Sequence, residues 1–404
     1  MARKKIVYFH HGGTVGGAPL SLLFLLKQLD RQRFDPLVVF TADGPVVKRY
    51  RDAGIPVRLA PGMTDFSHTE LVWYGNGLLW MLPLKAIRYL PTVRISRAIL
   101  EDERPDLVHI NSSALAAPAQ AAHALGIPVV WHIREPLAHG YLGIRRAWLR
   151  RQIHTCATRV IAISQYDASQ LIPSSAVRVI YNFVNLAEFD RTIPGLPARH
   201  RLGLTPAQHV VTMLGGCSYS KGTLPFVRSL TAVRAALPNV RYLVVGPAPA
   251  IGHRNPTISA LKYLFRQDAY DRAVLRAAGP HLDRSFIRFP GVRNDIPDVL
   301  AASDLVVFPS VRPHFARPII EAGAMAKPVV ASNLGGPREL VRNNITGLLT
   351  PPDDPAALAE AIIKVLSTPG LAGRMGAAGY EQALEKFEAQ RNAQATFALY
   401  DEML

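Results

Sequence analysis

The chain has 404 residues, more than one hydrophobic core usually serves, so two domains are expected. Its 49% hydrophobic and 19% charged residues exclude a disordered or low-complexity chain, and its two cysteines, Cys156 and Cys217, exclude a disulfide framework and fit a reducing compartment. The net charge of +16 has two readings: a solubilising surface, or an anionic partner such as a phosphorylated substrate, an anionic membrane or nucleic acid.

The N-terminal MARKK lacks a long apolar region and runs directly into a strand at 5–10, so no signal peptide is expected. The loop HGGTVGGAP follows, then an amphipathic helix to about Leu29. The glycines at 12, 13, 16 and 17 let backbone approach a ligand closely, but Thr14 stands where the dinucleotide fingerprint requires glycine. A second strand is expected at 36–41. The run 71–91 (LVWYGNGLLWMLPLKAIRYLP) is rich in Trp, Tyr and Leu, with Lys85 and Arg88 in its second half. Pro83 and polar residues interrupt it as a membrane span, so it reads either as an interfacial amphipathic segment or as a pair of core helices.

Strand-to-loop junctions follow at 107–113 (LVHINSS) and 128–135 (PVVWHIRE), separated by an Ala-rich helix, and further strands at 159–164 and 177–182. Short apolar runs alternating with helices predict a parallel sheet, whose ligand groups gather at the carboxyl ends of its strands. Asn111 and Ser112 close one such strand and are candidate acceptor contacts. His132 and Arg134 fall on one face of the next strand, because side chains alternate. For His132 a satisfied strand-end histidine is an equal reading.

The passage RTIPGLPARHRLGLTP (191–206) reads as an interdomain linker. A second α/β series then runs through strands near 210–216, 241–246, 287–291, 304–310 and 328–332. The last segment, 379–404, has helical apolar spacing through Tyr380, Leu384 and Phe387 and again through Phe397, Tyr400 and Leu404. No Asp-x-Asp motif, zinc spacing, nucleophile elbow or RNA-recognition motif appears, so no metal, cofactor or nucleic acid is expected.

The richest stretch is DLVVFPSVRPHFARPIIEAGAMAKPVVASNLGGPRELVRNNITGLL, from Asp304 to Leu349. It reads strand, loop, Pro-started helix carrying Glu321, strand, Gly-Gly turn, Pro-started helix. Both loops open onto helix N-termini, whose unpaired N–H groups and positive dipole end suit phosphate. Glu321 can accept hydrogen bonds from two neighbouring ribose hydroxyls, so the stretch reads as a nucleotide-diphosphate site. It resembles the signature of the retaining family 4 glycosyltransferases, in which two glutamates precede Lys/Gly-Pro-Val-Val-Ala. Glu321 and EAGAMAKPVVAS match the second half; Pro313 stands where the first glutamate belongs.

The resemblance implies a GT-B architecture: two Rossmann-like domains facing across a cleft. Residues 1–190 would bind acceptor, 207–378 would bind the nucleotide sugar, and 379–404 would cross back to the first domain. Gly16 and Gly17 would face the donor diphosphate. Gly215, Gly216 and Lys221 resemble the family's Gly-Arg-x4-Lys-Gly loop, with Gly216 in the arginine's place. Gly291, Val292 and Arg293 resemble the base-binding loop. Arg134 aligns with a histidine that contacts the transferred sugar, so Arg134, His132 and Lys221 are the catalytic candidates, with Arg317 joining them to replace the missing arginine. Arg312 or Arg317 would contact the diphosphate, and His314, Phe315 and Ala316 would meet the sugar hydroxyls. The implied activity is metal-independent retaining transfer to a polysaccharide or lipid-linked glycan, on the cytoplasmic side of the cell membrane and in peripheral contact with anionic lipid. The alternatives are a nucleotide-sugar epimerase on the same fold, or a non-catalytic binding protein, which the losses at 313 and 216 motivate.

Overall fold

The computed structural model describes residues 3–65, 81–137, 139, 141–250, 269–282 and 286–404. The aromatic half of the 71–91 run therefore lies outside the described residues. The chain forms two compact units, Met1–Phe183 with Ala389–Leu404, and Val184–Glu388.

The first unit holds a seven-stranded sheet of β1 (Lys4–His10), β2 (Phe34–Phe40), β3 (Val57–Leu59), β4 (Leu107–Ile110), β5 (Val129–Ile133), β6 (Arg159–Ala162) and β7 (Val177–Val179). The strands are all parallel, in the order β3-β2-β1-β4-β5-β6-β7. Their near-continuous apolar runs suit a sheet buried on both faces. Val7, Phe9, Val108, Ile110 and Trp131 pack into one layer; Ile6, Tyr8, Leu107 and Val130 pack into the other. The second layer is completed by Ala389, Ala393, Leu399 and Tyr400 of the last helix, Ala389–Asp401. The strand order reverses between β1 and β4, which opens a crevice at their carboxyl ends.

The second unit holds a six-stranded parallel sheet of β8 (His209–Leu214), β9 (Val240–Val245), β10 (Ile287–Gly291), β11 (Leu305–Phe308), β12 (Val329–Ser332) and β13 (Gly347–Thr350). Its order is β10-β9-β8-β11-β12-β13, so the reversal falls between β8 and β11. Both units are thus Rossmann-like, and each brings the carboxyl ends of two strands to a switch point.

The boundaries differ from those expected. Residues 191–206 are no linker: helix Gly195–Arg201 is built into the second unit. Arg199 bonds the Ala302 carbonyl at 3.0 Å and pairs with Asp304 at 2.7 Å, contacts between residues a hundred positions apart that composition does not reveal. The unit boundary falls at Phe183–Val184, and residues 379–388 stay with the second unit; only the last helix belongs to the first.

Candidate functional site

In the second unit two loops meet at the switch point. One follows β8 and leads through Lys221 to helix Thr223–Ala236; the other follows β11 and leads to helix Arg317–Ala324. They are joined by Val311 N–H and Ser310 Oγ–H, which donate to the Ser220 carbonyl at 3.1 and 2.9 Å. This joint brings Lys221 Nζ to 2.6 Å from His314 Nε2.

The ring's other nitrogen, Nδ1, lies 2.9 Å from the Arg312 carbonyl, so it carries the proton. Nε2 is then the lone-pair side and accepts from the Lys221 ammonium. Burial lowers the lysine from 10.5 to about 8. Burial, then the Lys221 charge, lowers His314 to about 3, so the imidazole is neutral. The free nitrogen of His314, the residue expected to face sugar hydroxyls, lies against the lysine. The face of the Phe308 ring lies 5.3 Å from Nζ and adds to the cation's setting.

Gly216 occupies the place of the family's arginine for a local reason. Its φ is +69°, and a Cβ there would fall 2.4 Å from the Pro247 nitrogen. No side chain fits that turn without moving backbone. Gly215 precedes it in the same turn. A second close approach seats the other loop: a Cβ on Gly336 would lie 2.6 Å from the His314 carbonyl oxygen, so the Gly-Gly turn after β12 lets residues 314–315 pack down. Phe315 and Ala316 bury their side chains, leaving backbone as what they present.

Glu321 is 8% exposed, one turn into its helix. Arg317 reaches its Oε1 through Nε at 3.1 Å and Nη2 at 3.0 Å. Arg317, expected on the diphosphate, is thus anchored by the i,i+4 spacing to the carboxylate. Arg312 lies on the exposed part of the same loop. In the loop after β10, Gly291 has φ +78° and Val292 is exposed, while Arg293 forms a two-point pair with Asp295 at 2.8 and 2.5 Å. That pair ties the Arg293 guanidinium to its own loop.

In the first unit the carboxyl ends of four strands build a buried polar cluster. His10 closes β1, Asn111 follows β4, Arg134 follows β5 and Asn182 follows β7. Asn111 Nδ2 lies 3.0 Å from His10 Nδ1; Arg134 donates Nε–H to Asn111 Oδ1 at 2.6 Å and Nη1–H to Asn182 Oδ1 at 2.8 Å. Asn111 therefore positions Arg134 through its amide oxygen. Gly16 caps and Gly17 starts the helix Gly17–Lys27 after β1, with Asn111 Nδ2 3.5 Å from the Ala18 carbonyl.

Two candidates are placed otherwise than expected. Ser112 Oγ–H donates to Glu135 Oε1 at 2.8 Å, and the Ser113 N–H and hydroxyl join it at 2.8 and 2.7 Å, so the acceptor hydroxyl is committed within the protein. His132 shares a face with Arg134 but sits deeper in the strand. Its Nδ1 is 3.3 Å from His109 Nε2, and Tyr400 Oη is 2.7 Å from His109 Nδ1. Burial, then the Arg134 charge, holds both imidazoles well below the usual histidine range, so both stay neutral under the last helix. His132 is buried in the strand against His109. His10 and Glu135 went unnoticed in the sequence. His10 carries a usable signal, being a polar residue at the carboxyl end of the strand next to the reversal. Among the described residues no three His, Cys, Asp or Glu side chains gather as a metal site.

Comparison with known proteins follows this division. The description "Glycosyltransferase Family 4" matches residues 15–188, and "Glycosyl transferases group 1" matches 208–368. A D-inositol 3-phosphate glycosyltransferase of Streptomyces scabiei is 30% identical over 405 residues, covering 96% of this chain and 86% of that protein. A glycogen synthase of Mycobacterium tuberculosis is 27% identical over 348 residues, covering 81% and 76%. Among solved structures, Anabaena HepE in complex with UDP superposes with a TM-score of 0.77 at 25% identity, covering 98% of this chain and all of that one, and has the same GT-B fold.

Proposed function

We propose, from the premise that this chain belongs to glycosyltransferase family 4, that it moves a sugar from a nucleoside diphosphate sugar to a hydroxyl of a polysaccharide or lipid-linked glycan, with retention at the anomeric carbon. The observation that carries the reading is the loop pair at the second switch point, which brings Lys221 onto neutral His314 beside the helix of Glu321. A single desolvated ammonium held by a neutral base is a ready partner for a diphosphate, and binding the anion restores the proton affinity that burial removes. The first-turn N–H groups of helix Arg317–Ala324 add to the phosphate field. Glu321 receives the ribose hydroxyls through the carboxylate that Arg317 orients, and backbone of the Gly291–Arg293 loop meets the base.

The same groups serve the reaction. As the bond to the sugar breaks, charge grows on the leaving diphosphate, which itself takes the acceptor proton on the attacked face. Fixed cations and N–H groups stabilise that charge without having to reorganise. In this reading protein cations do the neutralising, with no metal required. Arg134, held by two asparagines, is the anion contact of the first unit.

The UDP bound to Anabaena HepE supports a uridine nucleotide as the first donor to try. The acceptor is lipid-linked or polymeric, and the reaction sits on the cytoplasmic face of the cell membrane. An Escherichia coli relative, 27% identical over 285 residues, is named for galactosyl transfer to a diphosphoundecaprenol-linked sugar and supports the lipid-linked form. The test is titration calorimetry with UDP and other nucleoside diphosphates on the whole chain and on Lys221→Gln. Saturable binding that Lys221→Gln weakens is expected; binding to none of them would overturn the reading.

A further inference from the structure

We infer that Tyr270 is a positioning residue for Lys221: its phenolic oxygen bridges the two ends of the loop that carries the lysine. The inference deepens the nucleotide reading proposed above and rests on it for its ligand. Helix Ala269–Leu282 begins beside the loop that follows β8. Tyr270 Oη accepts from the Leu224 N–H at 2.9 Å and donates to the Ser218 carbonyl at 3.2 Å. Lys221 lies midway between these two anchor points in the chain. One hydroxyl therefore fixes the span of the loop, as a phenylalanine could not. The Tyr270 ring is itself seated, edge to face with Tyr219 at 5.7 Å. The next residue moors the same helix start to the same loop: Asp271 accepts from Cys217 Sγ–H at 3.2 Å and from the Ala250 N–H at 2.9 Å.

The N-terminus of the following helix, Thr223–Ala236, shows what the strap serves. A helix start after a Gly-rich turn ordinarily offers N–H groups to an anion. Here the first-turn donors are taken. The Thr223 N–H turns back to the Ser218 carbonyl at 3.4 Å, the Leu224 N–H goes to Tyr270, and Pro225 has no N–H. What this loop brings to a diphosphate is the Lys221 ammonium, so its use depends on where that side chain is held.

The loop's other side is fixed as well. A Cβ on Gly222, at φ +75°, would run into the Pro309 carbonyl oxygen, and the Ser220 carbonyl receives the Ser310 and Val311 donors. Between these holds, Nζ faces His314 and the Phe308 ring. Burial lowers Lys221 to about 8, so the acidity of this ammonium reports how closely the loop is drawn in. Burial raises the Tyr270 phenol to about 12, so the hydroxyl keeps the proton it donates to Ser218 throughout the range in which Lys221 titrates.

The experiment is Tyr270→Phe, which keeps the ring and removes the oxygen. Tyr242→Phe is the control: it removes a buried hydroxyl that lies 3.0 Å from Ser229 Oγ in the core of the same unit. Parent and variants are compared by thermal melting and by calorimetry with UDP, ADP and GDP from pH 7 to 9.5. NMR of protein labelled with 13C at the lysine Cε follows the Lys221 titration, its signal assigned by its absence from Lys221→Gln. Tyr270→Phe should weaken the nucleotide about five- to tenfold at pH 7. It should also move the Lys221 midpoint up from about 8 by about one unit, so that its affinity approaches the parent's at pH 9.5. Tyr242→Phe should melt lower while leaving both the midpoint and the affinity at the parent's values. Loss of melting temperature in Tyr270→Phe with an unmoved Lys221 midpoint would make the residue merely structural and overturn the inference. An equal shift of the midpoint in Tyr242→Phe would overturn it too, because any loosening of the unit would then do the same. If the parent binds none of the nucleotides while Tyr270→Phe alone still shifts the Lys221 midpoint, the nucleotide reading fails and the positioning role stands.

Discussion

Lys221 holds its ammonium 2.6 Å from Nε2 of His314, and the imidazole's remaining proton is committed to the Arg312 carbonyl. Burial, then the lysine's charge, keeps the imidazole neutral, and burial brings the lysine's titration down to about 8. In the free protein Lys221 loses its proton near 8 rather than 10.5. Nucleoside diphosphate prefers the charged form, so its affinity should be full below about 8 and fall above it, approaching about tenfold per pH unit. The stability of the unliganded protein moves the other way: between about 8 and 10.5 the unfolded chain holds the proton that the folded one has lost, so this group's contribution rises with pH. Calorimetry from pH 7 to 9.5 on the parent and Lys221→Gln checks it; the variant should bind weakly at every pH and without this dependence.

Glu321 should be worth about 1.5–3 kcal/mol of nucleotide affinity, the scale of a hydrogen bond to a charged group. Glu321→Ala is the measurement, with the 2′- and 3′-deoxy nucleotides as controls. The variant should bind deoxy and ribo forms alike, while the parent prefers ribo. Equal affinity of variant and parent would remove Glu321 from the site.

Restoring the family's arginine should harm this protein. Gly216→Arg places a side chain at φ +69° with its Cβ against Pro247. The backbone conformation alone costs about 1–3 kcal/mol, and the contact adds to it. A lower melting temperature with no gain in turnover is expected. A variant of normal stability and raised turnover would mean that the loop tolerates the residue it lost.

Arg134 is held by geometry that lysine cannot copy, since Nε and Nη1 bond two different asparagines at 2.6 and 2.8 Å. Arg134→Lys and Arg134→Ala should both lower turnover about a hundredfold, as loss of one charge-stabilising donor does. Asn111→Ala should lower it less, because Asn182 still holds the fork. Steady-state rates at saturating donor distinguish these, and near-normal turnover in Arg134→Lys would contradict the two-point requirement.

Much of this was legible from short-range pattern. Apolar runs of strand length punctuated by Gly and Pro pointed to the two parallel sheets, and a loop opening on a Pro-started helix pointed to Glu321, while Lys221 was named only by the resemblance of its loop to the family's Gly-Arg-x4-Lys-Gly. What escaped was set by partners far apart in sequence. Strand alternation put His132 on the face of Arg134 but carried no information on depth, and Tyr400, 291 residues from His109, closes the last helix over that pair. Ser112 looked available until Glu135 came back beside it. The 191–206 passage has a linker's composition, yet Arg199 ties it to Asp304. Arg317 was assigned by charge alone, while its i,i+4 spacing to Glu321 already named its partner.

The central claim is acceptor-dependent transfer with retention, and one measurement bears on it most directly. The full chain is incubated with a set of nucleoside diphosphate sugars, with and without a panel of glycan and lipid-linked acceptors. Released nucleoside diphosphate is followed, and the new linkage is read by NMR. The account predicts release that rises with one acceptor class, a product carrying the donor's anomeric configuration, and loss of both in Lys221→Gln. Conversion of the donor sugar without acceptor would show an epimerase, an inverted linkage would contradict retention, and tight nucleotide binding with no turnover on any acceptor would show a binding protein on the transferase fold.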